Sequence, residues 1–176
     1  MKFDINNPAF LQAAGSVSTE SSIVARFIIS EGDFQINKGI GGTVFVTRTL
    51  DGELSTYFDD IDTTGALAVS ADVQTDITVR GDIISLTDEK EDGIYANLKY
   101  LDISKCRNLA SLVLGNDLQG LGEIKARATS MNVAIGISQA IAASQVGGVV
   151  YLKQGDEYND MVLTAAQDQD WEVRYF

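Results

Sequence analysis

Hydrophobic and polar positions alternate along most of the first half of the chain. IVARFIIS (23–30), DFQIN (33–37), TVFVTRTL (43–50), STYFDDI (55–61), ALAVSADV (66–73) and ITVRGDII (77–84) are short and rich in β-branched and aromatic residues. Such segments suit pleated, half-buried strands. Gly32-Asp33, Lys38 to Gly42, Asp51-Gly52 and Gly65 separate them as turns. Strands roughly ten residues apart predict a small antiparallel β-sandwich or barrel over residues 23–86. Residues 1–22 read as an arm. Asn7 suits a helix cap, Pro8 the first turn and Gly15 the end. The segment PAFLQAA is too short to hold as a helix alone in water, and the polar linker SVSTESS follows it. A terminal segment is ordered only when something ties it down. The arm is therefore expected to dock on its own body or on a neighbouring subunit, with Pro8, Phe10 and Leu11 as partner-binding anchors.

Near residue 98 the period changes. Leu98, Leu101, Ile103, Leu109, Leu112 and Leu114 form a ladder that continues weakly at Leu121, Ile124 and Ala126. The spacing fits L-x-x-L-x-L-x-x-N/C-x-L, with Cys106 and then Asp117 at the polar position. Units advance by 11 and then 12 residues, so two units per coil predict a narrow two-sided solenoid. Neighbouring units would bury one another's leucines. A single amphipathic helix fits poorly, because strand-like L-x-I and L-x-L recur and Gly115 and Gly120 interrupt. MNVAIGISQAIAASQ then has helical spacing, with Val133, Ile137, Ala140 and Ile141 on one face and Gly147-Gly148 as its stop. VVYLK reads as a strand, EYNDMVLTAAQDQ as a helix and WEVRYF as a last strand, an order suited to capping a solenoid. The expected fold is mainly β with an α+β C-terminal end. It comprises the arm (1–22), a β-sandwich-like domain (23–86), and a leucine-rich-repeat-like solenoid with a helix-strand-helix-strand cap (87–176).

Composition narrows the function. With 176 residues and 45% hydrophobic content the chain is long enough to bury a sizeable core. It contains no apolar run of membrane-spanning length. MKFDINNPAF lacks the basic and apolar segments of a signal peptide, so no secretion signal is expected. A net charge of −12, from 13 basic and 25 acidic residues, disfavours nucleic acid and anionic membrane surfaces. The absence of histidine removes Ser-His-Asp and Cys-His catalysis and imidazole metal ligation. Cys106 stands alone, which excludes an intrachain disulfide and leaves a small buried hydrophobe as its expected role.

The remaining candidates for chemistry are weak. The acidic run at Asp59, Asp60 and Asp62 lacks the spacing of a Ca²⁺ loop and reads as a solvated turn. DEKEDG (88–93) reads as an exposed charged loop. KGIGGT (38–43) lacks the order of a phosphate loop and leads into a strand. No two carboxylates are singled out for glycoside hydrolysis. No catalytic, cofactor-binding or metal residues are expected.

Three segments together, ITVRGDIISL, NLKYLDISKCRNLASLVL and GGVVYLKQGDEYNDMVLTAAQDQDWEVRY, resemble short leucine-rich repeat proteins of Bacteroidetes bacteria and their phages. Ile77 to Ile84 matches the T-I-x-I-x-G-D-I-like segment at the end of their β-sandwich of the polycystic-kidney-disease type. Tyr158, Ala165, Ala166 and Trp171 fall at places comparable to their closing strand-helix-strand. The resemblance covers roughly residues 66–176. It departs where GGTVF stands in the neighbourhood of the sandwich's usual W-G-D-G turn. It implies binding or scaffolding rather than catalysis. With no secretion signal, it implies a virion structural protein, such as a capsid decoration, head-fibre or tail component. The expected partners are other virion proteins or copies of the same chain, with no nucleic acid, no membrane insertion and no cofactor. The alternative is a bacterial surface adhesin or glycan-binding module, for which Tyr95, Tyr100, Tyr151 and Trp171 are the candidate exposed aromatics.

Overall fold

A computed structural model describes the strands between Ser22 and Thr87, residues 98–116 and residues 118–176. Before Ile83, side chains are described only at Ile23, Val24 and Thr78. The expected arm with Pro8, Phe10 and Leu11, the acidic turn 59–62, the glycine turn 39–44 and the charged loop 88–93 lie outside the described residues.

The protein is mixed α/β. Its strands are β1 (Ser22–Phe27), β2 (Ser30–Lys38), β3 (Phe45–Leu50), β4 (Glu53–Phe58), β5 (Gly65–Ala71), β6 (Thr75–Arg80) and β7 (Ile83–Thr87), then β8 (Leu98–Asp102), β9 (Ser111–Val113), β10 (Glu123–Ala126), β11 (Val149–Leu152) and β12 (Glu172–Tyr175). Helix α1 (Met131–Ala143) lies between β10 and β11, and α2 (Asn159–Asp168) between β11 and β12. One sheet has the order β12-β11-β10-β8-β1-β6-β3-β4, the other β5-β2-β7-β9.

Several strand boundaries differ from the sequence expectation, and Gly65, expected as a turn, is the first residue of β5. IVARFIIS supplies the end of one strand and the start of the next, since β1 stops at Phe27 and β2 starts at Ser30. ITVRGDII is likewise divided between β6 and β7, which lie in different sheets. Gly32-Asp33 is not a turn: both residues lie inside β2, opposite Val69 and Ala68 of β5. Their pairing with β5, in a register that runs from Ser30 to Ile36, outweighs the poor strand preference of Gly and Asp, and β7 pairs the end of β2 at residues 36–38.

The leucine ladder is divided between the two sheets. Leu98 and Leu101 point inward from β8, Leu112 points inward from β9 in the opposite sheet, and Ile124 and Ala126 return to the first sheet on β10. β8, β10, β11 and β12 are parallel neighbours, and Leu101, Ile124, Val150 and Val173 form one cross-strand row. Successive members of that row are 23, 26 and 23 residues apart (101 to 124, 124 to 150, 150 to 173). The step of 23 equals the two expected units of 11 and 12. Ile103, Cys106, Leu109, Leu114, Leu118 and Leu121 fill the turns between strands and are all buried. Burying each large aliphatic side chain contributes about 1.5–3 kcal/mol. The core they form is continuous with Ile23, Ile83 and Leu86.

Behind the parallel strands the second layer changes from strand to helix. α1 packs on β9, and α2 packs on α1. Gly136 makes the first contact close, because a Cβ there would lie 2.8 Å from Leu112 Cβ and nearer still to the Leu112 carbonyl oxygen. α1 starts at Ser130, whose Oγ accepts from the Val133 N–H at 3.3 Å. It stops at Ala143, ahead of the expected Gly147-Gly148. Ser144 ends it: its N–H donates to the Ala140 carbonyl, and its Oγ donates to the Leu121 carbonyl at 2.7 Å, tying the helix exit to the turn before β10. α2 closes with a paired cap in which the Trp171 N–H donates to Ala166 O at 2.8 Å and the Asp170 N–H to Gln167 O at 3.4 Å. Asp170 takes the left-handed conformation this cap requires (φ 55°), and Trp171 is buried.

Candidate interaction surface

Parallel register places residues of β8, β10, β11 and β12 in rows on the solvent side of the sheet. One row is Tyr100–Glu123–Val149–Glu172, and the next is Asp102–Lys125–Tyr151–Arg174. Their neighbours Leu101, Ile124 and Val150 point into the core, so strand alternation turns these two rows outward. Beyond the strand ends, Arg127, Lys153 and Phe176 extend the same face.

The side chains of this face hold one another. Arg174 forks onto Glu172, with Nε donating to Oε1 at 2.8 Å and Nη2 to Oε2 at 2.9 Å. Its Nη1 donates to the Tyr151 hydroxyl at 3.2 Å, and the guanidinium lies 5.8 Å from the Tyr151 ring centroid. These hydrogen bonds, first to Glu172 and then to Tyr151, hold the Arg174 guanidinium well above its ordinary range. The same fork lowers the Glu172 carboxyl below its ordinary value. Arg127 pairs with Asp156, Nη2 donating to Oδ1 at 2.9 Å, and this bond raises its pKa. Asp102 is occupied locally: the Ser104 N–H and Oγ donate to its Oδ1 at 2.9 and 2.6 Å, and the Tyr100 hydroxyl lies 3.4 Å from Oδ2.

Lys125 and Lys153 stand apart from this pairing. Their ammonium groups lie 4.9 and 5.9 Å from the centroid of one ring, Phe176, and among the described residues neither makes an ion pair. Every basic residue from Glu123 onward is on this face, because the helices carry none. Asp160 and Asp168 lie on α2, in the layer behind the sheet. Within a strongly acidic chain this sheet face is therefore close to charge-balanced, four cations (Lys125, Arg127, Lys153, Arg174) standing among four acids (Asp102, Glu123, Asp156, Glu172), with aromatic rings between them.

Of the aromatics considered for glycan binding, Tyr100 and Tyr151 are half-buried on this face. Trp171 is corrected: it is only 5% exposed, because it fills the core beside Ala166 at the end of α2. Tyr95 lies outside the described residues. Cys106 is a buried thiol within the ladder. Sequence reading missed Lys125, Lys153, Arg174 and Phe176, which come together only through the cross-strand register. Among the described residues no helix is long and apolar enough to cross a membrane. Comparison with known proteins returns no match to a family model, a curated protein or a solved structure, which leaves the chemistry of this face as the ground for assigning a function.

Proposed function

We propose that this chain is a non-enzymatic structural protein of a phage virion, a capsid decoration, head-fibre or tail component that works through protein–protein contacts. In this reading a small β-sandwich is joined to a short leucine-rich-repeat-like solenoid. Steps of 23, 26 and 23 residues support the repeat, since they fall in the roughly 20–29-residue range of that class. The observation that carries the function is the row Asp102–Lys125–Tyr151–Arg174 and its flanking pairs. It is a solvent-facing surface on which Arg174, Tyr151 and Glu172 hold one another and Arg127 is held by Asp156. Pre-ordered aromatic and arginine side chains lose little entropy when a partner docks. The two arginines here are engaged in ion pairs that fix the surface.

The test is quantitative mass spectrometry of purified extracellular particles against the cell-envelope fraction of the source culture. Enrichment in particles at a fixed ratio to a major capsid protein is expected. Enrichment in the envelope would instead favour a cell-surface adhesin. Deleting residues 1–15 tests the arm: loss of incorporation is expected, and wild-type incorporation would remove Pro8, Phe10 and Leu11 as anchors.

A further inference from the structure

Two ammonium groups held against one ring are an incomplete electrostatic arrangement. Lys125 comes from β10, Lys153 from the turn after β11 and Phe176 from the end of β12, so three separate strands build the cluster. Each ammonium lies within cation–π range of the ring, which offsets part of their mutual repulsion without neutralising it. The arginines on either side are committed, Arg127 to Asp156 and Arg174 to Glu172. Of the other acids on the face, Asp102 is the cross-strand neighbour of Lys125 with its Oδ1 held by Ser104, and Glu123 is exposed one row away beside Tyr100; among the described residues neither forms an ion pair with the lysines. Phe176 is 40% exposed and Lys153 is exposed, so the cluster is open to solvent.

We propose that Lys125 and Lys153, held against Phe176 on the solvent side of β10–β12, form a docking site for a carboxylate-rich segment of a partner polypeptide. The site rests on the protein–protein reading above and names the chemistry of the partner. Charge complementarity requires an anion. Both nearby arginine forks are occupied, so an incoming anion meets ammonium point charges, which bind carboxylate and phosphate alike, and it is the apolar surface beside them that favours an acidic peptide. Free lysine ammoniums act as point charges that accept a carboxylate from many directions. The half-buried Val149 and Tyr151 in the adjoining rows offer apolar surface to the side chains that alternate with the acids in an extended peptide.

The experiment is fluorescence anisotropy on the full chain with a fluorescein-labelled peptide alternating glutamate and leucine, and its glutamine counterpart as control. The acidic peptide is expected to bind, with affinity that falls as salt rises. K125E/K153E is expected to weaken binding by roughly tenfold or more, while K99E/K105E, with the same charge change on exposed lysines elsewhere, leaves it within about twofold. Unchanged thermal melts of both variants separate the effect from misfolding. Equal loss in the two variants would overturn the site, because net charge alone would then explain the binding. Absence of peptide binding, or tighter Lys125- and Lys153-dependent binding of heparin or polyphosphate, would overturn it too. Particle incorporation of the wild-type chain is read separately. Its failure beside intact peptide binding would sink the virion reading and support the site, and incorporation without peptide binding would do the reverse.

Discussion

Gly136 sits where α1 meets β9, and two effects oppose each other there. Alanine in place of glycine favours a helix by about 1 kcal/mol. The new methyl group would run into the backbone and Cβ of Leu112, and overpacking of that kind costs about 1–3 kcal/mol. β9 cannot withdraw freely because β7 holds it in register through Leu86 and Leu112. Gly136→Ala is therefore expected to destabilise by up to about 2 kcal/mol, seen as a lower denaturant midpoint with an unchanged slope. A higher midpoint would mean that the helix can shift off the strand. At the surface, the Glu172–Arg174 fork sets a second expectation. Its hydrogen bonds lower the folded-state carboxyl pKa below the ordinary 4.5, chiefly through Arg174. A group depressed on folding contributes stability that is present above its unfolded pKa and lost as pH falls through the lower folded value. The fork should thus stay closed at neutral pH and open only below pH 4.5. A carboxyl NMR titration of Glu172 should show a midpoint below 4.5 that returns to the ordinary value in Arg174→Ala. An ordinary midpoint in the unmutated chain would mean that the fork does not persist in solution.

Among the elements, those with strong periodicity were the legible ones. The inward positions of the ladder, Leu98, Leu101, Leu112 and Ile124, follow from spacing alone, because each must be buried and consecutive units must face opposite layers. The buried face of α1, with Val133, Ile137, Ala140 and Ile141, was equally readable. Boundaries were not. Gly32 and Asp33 resemble a turn in isolation, yet pairing with Val69 and Ala68 of β5 holds them extended. α1 ends at Ser144 rather than at the glycines: Ser144 turns extended (ψ 133°), bridges to Leu118 and donates its hydroxyl to the Leu121 carbonyl, 23 residues away. The interaction surface was the least legible part. Lys125, Lys153 and Phe176 are separated by 28 and 23 residues (125 to 153, 153 to 176), and nothing local marks them as a group. Trp171 misled for the opposite reason: its type suits an exposed binding aromatic, whereas the paired cap of α2 turns it into the core.

For the whole molecule, the important fact is that both sheets continue past residue 87. β8 is hydrogen-bonded to β1, and β9 to β7, so each parallel pair or stretch after that point begins on a strand from before it. The buried cluster likewise joins Ile23, Ile83 and Leu86 to the leucines of β8 and β9. The intact chain is expected to unfold in one transition, with far-UV circular dichroism and Trp171 fluorescence changing together. A fragment of residues 88–176, lacking β1 and β7, should lose that transition and aggregate through its uncovered strand edge and leucines. Independent melting of the fragment at the temperature of the full chain would mean that the later strands are self-sufficient. The near-constant step along the row Leu101–Ile124–Val150–Val173 also defines which changes of length the protein can absorb. A tandem duplication of residues 149–171 adds one full return to the sheet, widening it by about 4.8 Å while every existing side chain keeps its facing. An insertion of half a step would send the next leucines to the wrong layer. Gain or loss of whole returns is then the route by which descendants of this chain can broaden their contact surface without redesigning the core.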